Sequence, residues 1–438
     1  MRVLVLGGGA AGMMAAWRAA SLGHSVTLLE ANRRLGVKLS ISGGGKCNVT
    51  HAGPLKELLG VFRKEQARFL RPAFHAFSNE NLLALLRSEG VETEARENGR
   101  VFPVDRTDSA DIAFGLRPNE MWGSKAVPPL ERRPGSARAV VAVFETLLDR
   151  AGVEVRFGAR VNRLVGTAPH LEALQLEDGT CLSADCYVLA TGGASYPETG
   201  TRGELLAALE GLGIPGRPWS PALAPVPLTR PRPEWEGVAL RGGVLQLRAG
   251  REGKRLAEFA GDILFTGNGI SGPAALELSR DVEVTRRAGA AWIEYACCKA
   301  SEMELDMELQ QLQPNNPHLA VRTWLQRFLP ERLCLPVQAE LGLPADQRMK
   351  DLTREARRQL VALVRGFPLG APGPVSLKRG EVAAGGICLE VIAPHSMAVK
   401  GWDNLRVCGE LLDIDGPVGG YNLQAAFSTG YLAGSLSL

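Results

Sequence analysis

The sequence predicts an α/β protein organised around a parallel, Rossmann-like β-sheet. Val3–Leu6 is a short, unbroken apolar run, which is typical of a strand buried on both faces of such a sheet. A glycine-rich turn follows it directly, and the same order of apolar strand, glycine and acid returns at Leu405–Glu410. Between these two segments, residues 238–300 alternate apolar and polar side chains, which predicts several antiparallel strands.

The glycine-rich turn carries a dinucleotide-binding motif. Gly7, Gly9 and Gly12 fit G-x-G-x-x-G between the first strand and a helix predicted over Ala10–Leu22. Gly7 permits the tight turn, Gly9 lets a pyrophosphate approach the backbone, and Gly12 lets the helix pack closely on the strand. The motif therefore predicts a phosphate-binding turn in its required structural context.

The residues after this turn complete the motif. Ala10 and Ala11 begin the predicted helix, whose N-terminus offers free N–H groups and a partial positive charge to phosphates. A second apolar run, Ser25–Leu29, ends on Glu30, where a carboxylate accepts hydrogen bonds from ribose hydroxyls. Strand, turn, helix, strand and acid together predict dinucleotide binding.

Length and composition limit the possible functions. A chain of 438 residues predicts two or three domains, and its formal net charge of +3 gives no case for nucleic-acid binding. No apolar stretch approaches the length of about eighteen residues that a membrane span needs. We therefore expect a cytoplasmic protein with a small-molecule substrate and with neither nucleic-acid nor membrane partners; the oligomeric state stays open.

The cysteines and histidines indicate no metal centre. None of the eight cysteines forms C-x-x-C, and the six histidines are isolated from one another. Cys47 lies in a glycine-rich segment, but no second thiol is spaced for exchange, so we interpret it as a packing residue. We expect no bound metal.

A second informative stretch follows Glu30. Within Asn32–Thr50, basic side chains flank a predicted polar loop that contains three consecutive glycines, Gly43–Gly45. Such a loop lets backbone approach a flat ligand closely, and its N–H groups can face anionic or carbonyl oxygens. Its position directly after the ribose carboxylate predicts a role in binding the same ligand.

The remaining segments have coarser patterns. Tyr187–Leu189 predicts a buried strand before a glycine turn, and Val161–Leu164 predicts another short strand. Residues 107–134 break every pattern with four prolines and predict a long irregular excursion. Residues 301–364 have helical spacing, and Ala425–Leu436 predicts a final helix of small residues.

Taken together, these motifs resemble those of the bacterial BaiN-like and aminoacetone-oxidase-like NAD(P)/FAD-dependent oxidoreductases, which have the glutathione-reductase-type FAD fold. The resemblance spans nearly the whole chain. The segments that carry it are Gly7–Gly12 with Glu30, Lys38–Asn48, Gly99–Pro103, Ala190–Pro197, Phe265–Pro273, Gly385–Gly386 and Gly409–Gln424.

The resemblance implies a Rossmann-like, non-covalent FAD-binding domain built from both ends of the chain. It also implies an inserted β-rich domain that contains a helical subdomain. The implied segments are 1–193 and 378–438 for the FAD-binding domain, 194–300 and 361–377 for the β-rich domain, and 301–360 for the helical subdomain.

The resemblance further implies which residues approach FAD. Val161 would offer its backbone to adenine, and Gly409 and Glu410 would bracket the ribityl chain. Asn422 and Leu423, at the start of the last helix, would stabilise negative charge on the pyrimidine side of the flavin. The ribityl and flavin parts would also meet Lys38, Leu39, Ser42, Gly43, Gly44 and Asn48. Thr191, Gly192 and Asp415 complete the predicted set.

The sequence departs from this family at two places. Residues 107–134 form an insertion, for which a lid and a disordered loop are both open interpretations. Met397–Lys400 reads Met-Ala-Val-Lys where family members usually have Met-Glu-Ser-Lys. Because the acid and the hydroxyl are missing, this chain is not expected to keep the role of that segment in the family, which we interpret as local hydrogen bonding rather than catalysis.

The predicted chemistry is hydride or electron transfer at a flavin ring. We expect a reductase that takes electrons from NADH or NADPH and passes them to a small organic substrate. Because a second G-x-G-x-x-G unit is absent, the nicotinamide would bind only transiently. Two alternatives remain: an oxidase of a small amine or ketone that uses O₂, and an FAD-bearing RNA-modification or RNA-binding protein.

No catalytic residue follows from the sequence. His51 and His395 are candidates for proton transfer, although structural or exposed positions explain them equally. Tyr196 and Tyr421 lie within cofactor-side motifs and are candidates either for donating hydrogen bonds or for packing on the flavin.

Overall fold

The computed structural model describes residues 1–104 and 136–436. These residues divide into two compact units, one formed by residues 1–219 with residues from 382 onward, the other by Ser220–Glu381. The irregular excursion predicted over 107–134 lies outside the described residues. The five-segment domain division implied by the resemblance stays a prediction.

The first unit is centred on a five-stranded parallel sheet, so the predicted α/β class with a Rossmann-like sheet is confirmed. Its strands, in spatial order, are Leu405–Val407, Cys186–Leu189, Arg2–Leu6, Ser25–Glu30 and Glu154–Phe157. The central strand, Arg2–Leu6, is buried from Val3 onward, as its apolar run predicts. Leu405–Val407 joins this sheet from the far end of the sequence.

Helices and two small antiparallel sheets surround the parallel sheet. The helices of this unit are Ala10–Ser21, Val37–Ile41, Leu55–Gly60, Lys64–Ala76, Asn79–Ser88, Ala137–Arg150, Leu205–Glu210 and Tyr421–Gly434. One small sheet contains Thr50–His51, Arg100–Pro103 and Thr93–Ala95, and the other contains Val161–Thr167, His170–Leu176 and Cys181–Leu182. The strands Gly216–Ala222 and Val382–Ile387 lie where the chain passes between units.

The first and last helices of this unit are in unusually close contact. A Cβ atom built on Gly430 would lie 2.3 Å from the carbonyl oxygen of Ala11. A Cβ atom on Gly434 would lie 2.3 Å from the carbonyl oxygen of Ala15. Because each glycine meets backbone rather than a flexible side chain, no larger residue fits at this helix contact.

The last helix corrects one predicted boundary. It spans Tyr421–Gly434, whereas the sequence predicts a start at Ala425. Gly420 adopts a left-handed conformation with φ of 90° immediately before it, and a Cβ there would lie 2.3 Å from the carbonyl oxygen of Thr50. The glycine ends the preceding loop, so the helix begins four residues earlier than its small-residue composition indicates.

The second unit contains two antiparallel four-stranded sheets and five α-helices, counted over its described residues. One sheet has the spatial order Val226–Pro227, Gly269–Ser271, Ile263–Thr266, Ala239–Leu240. The other has the order Arg255–Ala260, Val244–Arg248, Trp292–Ala296, Phe367–Gly370. The helices are Pro273–Ala288, Glu302–Asn315, Val321–Leu325, Glu331–Glu340 and Arg354–Arg365. The predicted antiparallel strands over 238–300 and helices over 301–364 are confirmed.

A buried carboxylate ties one helix of the second unit to a distant segment. Glu283, in Pro273–Ala288, is 1% exposed and accepts hydrogen bonds from the side chains of Arg286 and Arg287 and from the N–H of Val375. Burial alone would raise the pKa of Glu283, but these hydrogen bonds outweigh it and lower the pKa to about 2. The carboxylate is therefore ionised and structural.

Candidate cofactor site

The predicted site residues of the first unit gather at one edge of its parallel sheet. The glycine motif follows the strand Arg2–Leu6, and Glu30 ends the strand beside it. Thr191 and Gly192 follow Cys186–Leu189 on the other side. Because the carboxyl ends of neighbouring parallel strands meet at the same edge, residues far apart in sequence line one surface there.

The three motif glycines have different surroundings. A Cβ on Gly7, which has φ of 104°, would lie 2.5 Å from the carbonyl oxygen of Ala190. A Cβ on Gly12 would lie 1.8 Å from the carbonyl oxygen of Gly7. A Cβ on Gly9, by contrast, would meet no atom within 4 Å. Packing thus requires glycine at two positions, whereas Gly9 borders open space.

The first helix points its N-terminus at this open space. Ala10–Ser21 begins directly after Gly9 and has neither a side-chain cap nor an acidic residue in its first turn. The first N–H groups of any helix, here those of Ala10 and Ala11, have no acceptor within the helix. Their partial positive charge suits a phosphate group.

Glu30 is fixed in place before any ligand binds. Glu30 is only 7% exposed. Its carboxylate accepts three hydrogen bonds of 2.7 Å each, one from the N–H of Gly8 and two from the backbone and side-chain nitrogens of Asn32. A carboxylate has about four acceptor positions, so one remains for a ribose hydroxyl. The N–H of Ala159 donates to the Glu30 carbonyl at 3.0 Å, which brings Val161 to the same edge.

The segment after Glu30 corrects the predicted polar loop. Val37–Ile41 is a short α-helix, and Ser42–Gly45 continues as a 3₁₀ turn. Gly43 and Gly44 inside that turn have left-handed φ angles of 58° and 67°. The three glycines provide this reversal of the backbone rather than an open loop. A Cβ on Gly44 would meet nothing within 4 Å, so the turn also borders open space.

Lys38 joins three segments at the same edge. Its Nζ donates to Oε2 of Glu410 and to Oγ of Ser195, both at 2.6 Å. The other Glu410 oxygen, Oε1, accepts from the N–H of Ala383 at 2.9 Å. Both oxygens of the Glu410 carboxylate are therefore engaged by protein donors. The sequence does not single out Ser195 for this cluster, although it lies within the matching segment 190–197.

The predicted site residues near the last helix also form hydrogen bonds that hold the local protein structure. The side-chain amide of Asn422 accepts from the N–H of Gly416 at 2.7 Å and donates to its carbonyl at 2.8 Å, closing the loop before the helix. Oδ1 of Asp415 accepts from Gln66 at 3.1 Å. Because Asn422 and Leu423 lie in the first helical turn, their backbone N–H groups have no acceptor within the helix.

Two buried polar atoms at this edge have no hydrogen-bond partner among the described residues. They are Oδ1 of Asn48 and Oγ1 of Thr191. Asn48 lies beside Gly43, and Thr191 lies beside Gly7. A buried polar atom without a partner is costly, and a bound group with hydrogen-bonding capacity relieves that cost. The orphaned atoms, the open glycine positions and the uncapped helices fit a dinucleotide that carries a flat, polar ring.

The other candidate side chains take less direct positions. Cys47 is fully buried, and burial raises the pKa of its thiol to about 12, so it is neutral at physiological pH. The rings of His51 and Tyr421 stack with centroids 4.6 Å apart. His395 is exposed. Leu39, from the predicted set, is 3% exposed and packs in the core.

Residues 1–104 and 136–436 lack two features, a metal centre and a membrane-spanning helix. No group of three or more His, Cys, Asp or Glu side chains could hold a metal ion. No helix is both long and apolar enough to cross a bilayer.

The parallel sheet, the glycine turn below the first helix and the carboxylate at the end of the second strand define a Rossmann-type dinucleotide-binding protein. The sequence matches the family described as HI0933-like protein Rossmann domain over residues 1–118 and 132–436, and the chain belongs to that family. The predicted family of FAD-dependent oxidoreductases is thereby confirmed.

Individual relatives are similar over almost their entire length. A Haemophilus influenzae protein named ribosomal RNA dihydrouridine synthase is 26% identical over 429 residues, covering 98% of this chain and 96% of the relative. A Clostridium scindens protein named 3-dehydro-bile acid delta(4,6)-reductase is 28% identical over 458 residues, covering 99% and 98%. The solved 3-ketosteroid-delta4-(5alpha)-dehydrogenase of Rhodococcus jostii RHA1 has a TM-score of 0.48 at 15% identity, covering 99% and 95%.

Proposed function

We propose that this protein is a reductase that uses FAD to add hydrogen across a polarised carbon–carbon double bond of a small organic substrate, with NADH or NADPH as the electron donor. The observation that carries the FAD-binding part of the proposal is the open space at Gly9, beneath the uncapped N-terminus of Ala10–Ser21. Backbone N–H groups and open space together suit a diphosphate.

The first unit supplies the groups that would hold FAD. Gly7, Gly9, Ala10, Ala11 and Gly12 would take the diphosphate, Glu30 the adenosine ribose and Val161 the adenine. The ribityl and flavin parts would meet Lys38, Leu39, Ser42, Gly43, Gly44, Asn48, Thr191, Gly192, Gly409, Glu410, Asp415, Asn422 and Leu423. When bound, FAD accepts and donates hydride at its ring system.

The chain's own residues would orient the cofactor and balance its charge. The two N–H groups at the start of Tyr421–Gly434 favour negative charge nearby, because the helix dipole is positive there. The Lys38 ammonium holds Glu410 and Ser195 in fixed positions. This pre-formed arrangement lowers the entropy lost when the ligand binds.

The names of two full-length relatives support the reaction class. Dihydrouridine is uridine whose C5=C6 bond, conjugated to a carbonyl, has gained two hydrogens, and this is the product named for the H. influenzae relative. The C. scindens relative is named as a delta(4,6)-reductase of a 3-dehydro bile acid. Both names describe the addition of hydrogen to a carbon–carbon double bond, which favours a reductase over an oxidase.

Uridine within RNA is the second candidate substrate. It is favoured by the H. influenzae relative, which covers 98% of this chain. The small net charge of +3 argues against extensive RNA contact over the whole surface. The two candidates share the reaction and differ in the molecule that carries the double bond.

An anaerobic half-reaction experiment tests the proposal. Purified protein with bound FAD is mixed with NADH or NADPH, and bleaching of the flavin absorbance is followed. The reduced protein is then given a 4-en-3-one steroid, or an RNA oligonucleotide, and the product mass is measured. We expect bleaching by at least one nicotinamide and a product heavier by two hydrogens.

Two results would contradict the proposal. Purified, folded protein that stays colourless and takes up no added FAD would refute flavin binding. Flavin that is bleached by an amine but by neither nicotinamide, and re-oxidised only by O₂, would identify an oxidase instead.

A further inference from the structure

The second unit contains a groove that the flavin chemistry does not use. It lies on one face of the sheet formed by Arg255–Ala260, Val244–Arg248, Trp292–Ala296 and Phe367–Gly370. Leu245 and Leu247 point to the opposite face and are fully buried in the core. The intervening side chains line the groove, whose volume is about 580 Å³.

The groove carries more positive than negative charge. Its four basic residues are Arg248, Arg255, Lys299 and Arg365, and its two acidic residues are Glu258 and Glu294. Both acids are already paired: Arg248 contacts Glu294 at 2.5 Å, and Arg255 contacts Glu258 at 2.7 Å. Two positive charges are therefore left without a balancing carboxylate inside the groove. Outside it, hydrogen bonds from Ser301 lower the pKa of Glu304, and the charge of Arg365 adds to that lowering, so Arg365 is partly offset from that side.

Lys299 and Arg365 carry that excess. Lys299 is exposed and forms no ion pair with any acid in residues 1–104 and 136–436. Arg365 is exposed and uses one guanidinium nitrogen to donate to the carbonyl of Ala300, which fixes its position beside Lys299. A guanidinium has five N–H donors, so most of those of Arg365 remain available for an anion.

The lining of the groove is unlike that of a site for a small apolar ligand. Such sites are lined mainly by hydrophobic and aromatic side chains, whereas the residues here are mostly charged or polar. Arginine and lysine side chains on an open surface match the phosphate oxygens of a nucleic-acid backbone. The groove therefore has the charge and the donors for phosphodiester groups.

We propose that this groove binds the phosphodiester backbone of RNA, through Lys299 and Arg365. The inference rests on the second candidate substrate of the proposed function, uridine in RNA, and gives that candidate a contact surface. Arg248 and Arg255 keep their carboxylate partners and border the bound strand. A groove that contacts only phosphates binds RNA without sequence preference.

A binding measurement without turnover tests the proposal. The probe is a fluorescein-labelled, mixed-sequence single-stranded RNA of about 20 nucleotides, titrated with the FAD-loaded protein while anisotropy is followed. Salt is varied from about 50 to 200 mM, and each phosphate contact contributes about 0.7 to the slope of log affinity against log salt. Lys299→Gln/Arg365→Gln should weaken binding roughly 10- to 30-fold at about 0.1 M salt and reduce that slope by about 1.4.

The matched control removes the same two charges elsewhere on the second unit. Lys378→Gln/Arg379→Gln changes two exposed residues outside the groove and should leave both affinity and slope unchanged. If the double groove variant unfolds, as thermal melting would reveal, Lys299→Gln alone serves instead and should reduce the salt slope by about 0.7, whereas Lys299→Arg keeps the charge and should keep the wild-type slope. Bleaching of the flavin by NADH or NADPH should be unaffected in every variant, which separates this inference from the proposed function.

Four results would overturn the proposal. They are absence of RNA binding by the wild-type protein, equal loss in the groove and control variants, displacement of RNA by about 1 mM pyrophosphate, and tighter groove-dependent binding to phosphatidylglycerol vesicles than to RNA. The last two would identify a small-anion site or a membrane-binding surface.

Discussion

Two glycines of the first turn lack a side chain for different reasons, one for protein packing and the other for ligand space. Gly12 is required by packing, because a Cβ there would lie 1.8 Å from the carbonyl oxygen of Gly7. Gly9 has an extended backbone with φ of −82°, and a Cβ there would meet no atom within 4 Å. The protein alone would tolerate a methyl group at Gly9, so the need for glycine there would come from the ligand.

Substitution of these glycines by alanine should therefore separate folding from cofactor binding. Gly9→Ala should change the free energy of unfolding of the apoprotein by less than about 0.5 kcal/mol and weaken FAD binding about tenfold or more, or about 1.4 kcal/mol. Gly12→Ala should destabilise the apoprotein by about 1–3 kcal/mol. Urea unfolding and flavin-fluorescence titration measure the two effects. Equal FAD affinity in Gly9→Ala and wild type would place the diphosphate elsewhere.

At the scale of residues, the sequence predicts the site correctly where its members lie close together along the chain. The run Val3–Leu6, the glycine spacing and Glu30 lie within thirty residues, and each adopts the predicted element. The cluster of Lys38, Ser195 and Glu410 could not be found in this way. Its members are separated by 157 and 372 residues from Lys38, and no local pattern marks a contact that only the folded sheet creates.

At the scale of elements, the helix Pro273–Ala288 is attached to a distant segment by the Glu283 carboxylate, which accepts a hydrogen bond from the N–H of Val375. The pKa of Glu283 is lowered from 4.5 to about 2 in the folded protein. A carboxylate whose pKa is lower in the folded than in the unfolded protein stabilises the fold once the pH exceeds its unfolded pKa. For Glu283 this stabilisation is complete above about pH 4.5 and is lost as the pH falls towards 2.

Glu283→Gln should remove this stabilisation. We expect the free energy of unfolding at neutral pH to fall by about 3 kcal/mol and its dependence on pH below 4.5 to become shallower. Urea unfolding at neutral pH and at about pH 3 measures both. Glu252→Gln, at an exposed position, is the control and should change neither. A pH dependence in Glu283→Gln as steep as that of wild type would assign the acid sensitivity to other carboxylates.

The contact between Ala10–Ser21 and Tyr421–Gly434 gives a second prediction for elements. Gly430→Ala should destabilise the protein by at least about 1 kcal/mol, although alanine has the higher helix propensity, because its Cβ would press on the Ala11 carbonyl. Gly60→Ala, at a helical position with nothing within 4 Å, should instead stabilise by about 0.4–1 kcal/mol. Thermal melting compares the two. Stabilisation by both would mean that the helices can separate freely.

The segment after Glu30 shows how a run of glycines can lead to a wrong prediction of secondary structure. Three consecutive glycines indicate a loop, but they directly follow a short helix and form a tight reversal, in which Gly43 and Gly44 have left-handed angles that other residues rarely adopt. The sequence Val37–Ile41 has no strong helical periodicity over its five residues. A helix this short is stabilised by its surroundings rather than by propensity, so the sequence could not reveal it.

Across the whole molecule, buried thiols should control stability at alkaline pH. Burial raises the pKa of Cys47, Cys297 and Cys408 from 9.0 to about 12, and these residues occur in both units. A thiol with a raised pKa stabilises the fold fully below about pH 9. That contribution is lost as the pH rises towards 12, by about 1.4 kcal/mol per pH unit for each thiol.

Unfolding in urea should therefore need less denaturant at pH 10 than at pH 8. In Cys47→Ala/Cys408→Ala the dependence on pH should be shallower, because two of the titrating groups are gone. Cys181→Ala, at an exposed position, should keep the wild-type dependence. An unchanged pH dependence in the double variant would show that these thiols do not govern alkaline unfolding.

Composition taken over the whole chain concealed a local property. The net charge of +3 predicts no nucleic-acid surface, yet the groove of the second unit gathers Lys299 and Arg365 with two paired arginines. These residues come from three strands or loops and one helix end that only folding brings together. An average over 438 residues cannot report a charge distribution on a single sheet face.

The order in which the parallel sheet is assembled has a consequence for biosynthesis. Leu405–Val407 and Tyr421–Gly434 leave the ribosome roughly twenty to eighty seconds after Ser25–Glu30, at ordinary translation speeds. During that interval the nascent chain exposes one side of Cys186–Leu189 and the face of Ala10–Ser21 that the last helix later covers. Residues 220–381 emerge complete in the meantime and are free to collapse first, so the nascent chain would acquire its flavin only as translation finishes.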